Sequence, residues 1–178
     1  HDLESALCEL NPDLPDAAIA EALEKLTRTD FSRSILQHNE DFYNWCRDGV
    51  PVKYRNAAGN RIHGHARVFD FDRPENNRFV AVRELKIQGL RSPHYNRRAD
   101  LVCFGDRAKY GTLTSEWEHF YDWKRLAEDE SGDLDARVLL NGMLAKDRLL
   151  DLFENFTLFD HSRSGGVRKV VARNHQFM

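Results

Sequence analysis

The sequence predicts an α/β domain of the α+β kind, with a mixed central β-sheet flanked by helices. Three observations predict it. Apolar residues recur at helical spacing from residue 2 to residue 48. From residue 50 the period drops to two, the period of a half-buried strand. After residue 135 helical spacing returns, and the chain closes on another alternating stretch.

The elements follow in order. "DLESALCELN" sets Leu3, Ala6, Leu7 and Leu10 on one helical face, and "NPDLP" ends that helix. Asp16 is expected to cap a second helix, "DAAIAEALEKL", with Ile19, Ala22, Leu23 and Leu26 inward. "SILQHNEDFYNWCRDG" predicts a third helix with Ile35, Asn39, Phe42 and Trp45 or Cys46 on one side, stopped at Gly49. "VPVKYRN", the turn "AAGN" and "RIHGHARVFDF" predict a hairpin, and "DRPENN" a loop. "RFVAVRELKIQGL" predicts a third strand, and "RSPHYNRR" a basic loop. "ADLVCF" predicts a short strand buried on both faces. The chain then reads as irregular until "DARVLLNGMLAKDRLLDLFENFTLF", which predicts two short helices broken near Gly142. "HSRSGG" is a loop, and "VRKVVARNHQF" a final strand.

Composition bounds the function. A chain of 178 residues suits one domain, yet 41% hydrophobic and 31% charged residues is a polar balance, normal for a piece that rests on partners. The net charge of −3 means that any nucleic-acid site must be a local patch. Cys8, Cys46 and Cys103 lie far apart, which excludes a C-x-x-C motif and fits a reducing, cytoplasmic setting. No apolar run nears the roughly 20 residues that span a bilayer, so no membrane is expected. His63 and His65 alternate on a strand without acid or Cys partners, a weak zinc pattern. No G-x-x-x-x-G-K-[ST] loop is present, so ATP is not expected to bind this chain through that motif.

Six phrases in register carry a resemblance: "ALCELNPDLPDAAIAEALEKL", "FDFDRPENNRFVAVRELKIQG", "RRADLVCF", "GTLTSEWEHFYDWKR", "LLDLFENFTLF" and "KVVARNHQF". Together they resemble the amino-terminal nuclease region of the restriction subunit of type I restriction–modification enzymes. The resemblance covers almost the whole chain. It implies a PD-(D/E)xK nuclease with a restriction-endonuclease-like core, so residues 1–178 are expected to be a fragment of that single domain. The motor domains that follow it in the family are not in this sequence, and "KVVARNHQF" resembles the approach to them. In the family a strand like "RRADLVCF" leads to a second strand ending in Glu-x-Lys and a helix with Gln-x-x-x-Tyr, before a phrase like "GTLTSEWEHF". Here Phe104 meets Gly105 directly, so a segment is expected to be missing between them, as are residues before His1.

Phosphodiester hydrolysis needs an activated water and neutralised phosphate charge, and carboxylate-bound Mg²⁺ supplies both. The resemblance matches Asp100 to the first metal-binding acid, and so makes it the catalytic and metal-ligating candidate. Read from the residues alone, Asp100 is better explained as an acid at a strand start that caps a loop or pairs with Arg97 or Arg98. Glu84-Leu85-Lys86 is a literal Glu-x-Lys, and alternate residues share a strand face. It precedes Asp100, however, whereas the family's pair follows the Asp. It is therefore read as a polar strand face, with Glu84 as an accessory acid near the site. Arg91, His94, Arg97 and Arg98 lead into Asp100 and are candidates for phosphate contacts. Trp117, Phe120, Tyr121 and Trp123 form either a stacking platform for bases or packing under a loop.

The resemblance thus implies the endonuclease domain of a type I site-specific deoxyribonuclease. Its partners would be double-stranded DNA and the specificity and methylation subunits, and its cofactor Mg²⁺, with ATP used by the motor of the full-length subunit. The rival expectation is a non-catalytic DNA-binding or subunit-docking module, because no Glu-x-Lys follows Asp100 in this sequence.

Overall fold

The computed structural model describes residues 2–28, 30–79, 101–104, 107–132, 135–162 and 166–178, and for residues 2, 101–104 and 107 the backbone alone. Helices and small antiparallel sheets alternate along the chain, so the fold is mixed α and β as expected. The described strands form three two-stranded sheets. The strand expected from "RFVAVRELKIQGL" runs through residues 80–90, outside the described residues. The chain divides into two units, His1–Asn77 and Arg78–Met178.

The first unit opens with α1 (Asp2–Leu10), α2 (Asp16–Thr27) and α3 (Ile35–Asp48). The hairpin of β1 (Val50–Arg55) and β2 (Arg61–Ala66) follows, in the register Val50↔Ala66 through Arg55↔Arg61. Strict alternation puts Val50, Val52 and Ala66 on the buried face of that hairpin. Ala18 and Ala22 of α2 pack on it; small side chains let the helix approach closely. Buried Asn11 ends α1 and bonds across to the backbone of Arg67, both donating (2.9 Å) and accepting (2.7 Å), so its burial leaves neither polar end unpaired.

Two details differ from the sequence expectation. Pro15, not Asp16, occupies the N-cap of α2; Asp16 is the first helical residue, where its charge complements the helix dipole. On α3 the buried residues are Tyr43 and Cys46, while Ile35 and Phe42 are exposed. Helix α3 begins with a capping box between Ser34 and Gln37, which explains its start without any burial of Ile35. Gly49 closes it at φ 86°, a conformation suited to glycine.

The second unit contains β3 (Leu101–Phe104) and β4 (Arg107–Tyr110), antiparallel with Phe104 opposite Arg107. The expected break after Phe104 falls on Gly105, which lies outside the described residues. Strand β4 stands where the sequence predicts irregular chain, because "RAKY" is too short to show a period. Helices α4 (Ala136–Met143) and α5 (Lys146–Asn155) follow, then β5 (Thr157–Asp160), β6 (Arg168–Val171) and the short α6 (Asn174–Phe177). The helical pattern of "ENFTLF" gives way to a strand after Phe156, and the Thr157 hydroxyl satisfies the Leu152 carbonyl at the end of α5 (2.8 Å).

The core of this unit is Ala108, Tyr110, Trp123, Leu139 and Leu152. Gly142 does not break the helix. It lies inside α4, where the Trp123 indole presses on it and a Cβ would collide with the ring. The two short helices expected here are present, and the break between them comes just after Gly142, at Leu144 and Ala145.

Candidate functional site

Two of the phrases that carry the resemblance are docked on each other. From "GTLTSEWEHFYDWKR", the Thr112 and Thr114 hydroxyls donate to the Lys169 carbonyl (2.8 and 3.1 Å), and Thr114 Oγ1 accepts from the Lys169 amide (3.0 Å). Further on, Asn174 of "KVVARNHQF" accepts from the amides of Lys124 and Arg125 (both 3.2 Å) and donates to the Arg125 carbonyl (3.2 Å). Tyr110 anchors both phrases. Its backbone exchanges two hydrogen bonds with Tyr121 (2.9 and 2.8 Å), and its buried hydroxyl donates to the Ala172 carbonyl (3.0 Å). Burial pushes the Tyr110 hydroxyl well above the ordinary tyrosine range, so it stays neutral.

A cleft of about 540 Å³ opens beside this junction. Lys109, Lys124, Arg125 and Arg173 line it, with Asp122 and Glu128 the acids among its lining residues. Lys109 reaches Asp122 at 3.5 Å. Arg173 lies over the Tyr121 ring and donates to its hydroxyl. The excess of cations suits an anionic group, and the aromatic rings supply part of the wall. Of the four aromatics singled out in the sequence, Phe120 and Trp123 are buried, as packing residues are. Trp117 is 44% exposed, its ring 5.4 Å from that of Phe120.

Asp100, Glu84, Lys86, Arg91, His94, Arg97 and Arg98 lie in residues 80–100, outside the described residues. Asp100 directly precedes β3 in the chain. Among the described residues no three or more His, Cys, Asp or Glu gather in a way that could hold a metal ion. His63 and His65 are exposed on β2 and join no such group. No helix among the described residues is long and apolar enough to cross a membrane.

Sequence reasoning missed the cleft, because its residues come from three separated places: β4, residues 120–128 and the C-terminal turn. Thr112 in "GTLTS" and Asn174 in "ARNHQ" stand among polar residues in the sequence, so nothing local signalled that both are buried against distant backbone.

Residues 1–112 match the family model described as the type I restriction enzyme R protein N terminus, and the chain belongs to that family. The chain is 27% identical to the type I restriction enzyme HindI endonuclease subunit of Haemophilus influenzae, in a match covering 98% of the chain and 21% of that protein. It is 23% identical, over 62% of its length, to a Methanocaldococcus jannaschii protein with the provisional name of type I restriction enzyme MjaIXP endonuclease subunit, and covers 12% of it. The chain thus spans about a fifth of the first relative and about an eighth of the second. The match to the Haemophilus protein runs over 228 positions, 50 more than the 178 residues of this chain, so that protein carries residues within the match that this chain lacks.

Proposed function

We propose that the chain is the endonuclease part of the restriction subunit of a type I restriction–modification enzyme. It would cut double-stranded DNA while the motor domains of the complete subunit consume ATP, in a complex with specificity and methylation subunits. The observation that carries this reading is the match to an endonuclease subunit along 98% of the chain. Asp100 is the residue that would hold Mg²⁺, with Glu84 as an accessory acid. When bound, the ion would supply charge neutralisation at the phosphate and a more acidic water. Arg91, His94, Arg97 and Arg98 would contact phosphates beside it.

The test is Asp100→Ala in the protein at its full natural length. Cleavage of duplex DNA in the presence of Mg²⁺ and ATP should be lost while the variant stays folded. Wild-type cleavage by that variant would remove Asp100 from the site.

One observation favours a second reading, a DNA-binding or docking module without catalysis. The strand antiparallel to β3 carries Arg107 and Lys109 and no carboxylate, so the Glu-x-Lys expected after Asp100 is not on it. Absence of DNA cleavage by the wild-type full-length protein would decide for that module.

A further inference from the structure

We infer that the exposed face of the β1–β2 ribbon is a contact surface for the phosphate backbone of duplex DNA. The inference rests on the reading that DNA is the partner, and adds a second surface, in the first unit, which that reading does not use.

The register defines the face. Alternation turns Pro51, Lys53 and Arg55 of β1 outward, opposite His65, His63 and Arg61 of β2. All six are exposed, and five of them are basic residue types. The whole chain has 29 acidic residues against 26 lysines and arginines, yet no acid stands at any outward position of this ribbon. The array is compact, with neighbours about 5 Å apart across the ribbon and about 6.8 Å along it. On the opposite face Val50, Val52 and Ala66 pack against Ala18 and Ala22 of α2, so the base of the ribbon is backed by that helix.

The pairing at the tip works against stability. Arg55 stands directly opposite Arg61, and like charges at such positions destabilise a hairpin. Arg55 is steadied by donating to the Gly59 carbonyl at 2.8 Å, which uses one of its five donors. Two acids approach the base of the ribbon, where the charge of Glu21 also acts on Lys53 and that of Asp48 on His65. Glu21 accepts from Lys25 and from the Lys53 amide, and Asp48 accepts from Arg47. Neither neutralises the tip. His63 and His65 carry an N–H donor in either charge state. A two-stranded ribbon also fits the dimensions of a DNA groove.

The experiment measures equilibrium binding of the full-length protein to a short duplex of random sequence, in EDTA, across a salt titration. Arg55→Gln with Arg61→Gln should weaken binding by about tenfold per arginine near 0.1 M salt, and lower the salt slope by about 0.9 for each. Lys53→Gln alone should lower it by about 0.9. Arg55→Lys with Arg61→Lys keeps the charge and should restore most of the affinity. Unchanged affinity and slope in the glutamine variants would overturn the inference. So would an equal loss in the lysine pair, which would mark a structural effect. Cleavage is not read, so a protein that binds DNA through this face and never cuts it would end the nuclease reading and leave this one standing.

Discussion

The Arg173 guanidinium lies 4.1 Å above the centre of the Tyr121 ring and donates to the Tyr121 hydroxyl at 2.6 Å. This contact joins two segments more than fifty residues apart in sequence, and it sits at the rim of the cation-lined cleft. It is exposed, so its stacking component is worth about 0.5–1 kcal/mol. The next residue, Asn174, makes the deeper connection: it is 7% exposed and bonds three backbone groups of residues 124 and 125.

Asn174→Ala should therefore cost more than Arg173→Ala. Truncating the asparagine strands two amides and a carbonyl, a loss of about 2–3 kcal/mol. Arg173→Ala should cost about 0.5–1 kcal/mol. Urea unfolding midpoints of the two variants check the order. Equal effects would show that the amides find water once the side chain is gone.

Gly142→Ala tests the packing of α4. On propensity alone alanine in a helix interior gains about 1 kcal/mol over glycine. Here the added methyl meets the buried Trp123 indole, which is 1% exposed and packed by Tyr110 and Phe177 on other sides. Overpacking costs about 1–3 kcal/mol. The net change should be destabilising, read as a lowered melting temperature with an altered tryptophan fluorescence spectrum. A stabilised variant would mean that the indole moves aside freely.

Gly142 also shows what the sequence does and does not reveal. Read along the chain, a glycine late in a helical pattern signals a stop. Its partner Trp123 lies nineteen positions earlier in an irregular stretch, so the close approach is invisible locally. The β1–β2 hairpin was legible in its strands and turn, because the alternation on each side of "AAGN" is regular, although β2 stops at Ala66 while the expected strand ran on to Phe71. The inward face of α3 was legible only in part: Cys46 is buried as one of the expected alternatives, but Tyr43 is buried while Ile35 and Phe42 stand exposed. Burial there pushes the Cys46 thiol up to about 12. The expectation for Asp100 rests on the resemblance alone, since the residues by themselves read as an acid that caps a loop at a strand start.

Glu21 should give the first unit a pH dependence. Its carboxylate accepts from the Lys25 ammonium (2.7 Å) and the Lys53 amide (2.8 Å), joining α2 to β1. The Lys25 hydrogen bond and then that amide hold its pKa below the ordinary glutamate value. A depressed pKa in the folded state stabilises above the unfolded value, and the gain is lost as pH falls through the folded value. Glu21→Gln should thus be less stable than wild type at pH 7, and the gap should close on acidification below the usual glutamate range. A gap that stays constant with pH would assign the effect to packing of the side chain.

The last prediction separates a polar strand face from an active site. Glu84-Leu85-Lys86 has the spelling of a catalytic Glu-x-Lys, and on a strand Glu84 and Lys86 would share a face. Chain order argues against the role, since the pair precedes Asp100 where the resemblance requires it to follow. If the pair only lines a face, Lys86→Ala should change stability by a surface-sized amount, within about 0.5 kcal/mol. Cleavage of duplex DNA by the full-length protein with Mg²⁺ and ATP should then stay near that of wild type. If instead Lys86 orients the attacking water, its loss should cost orders of magnitude in rate with little loss of DNA affinity. The two outcomes do not overlap. A folded variant that binds DNA normally but does not cut it would move the active site from Asp100 and the residues after it to the strand before.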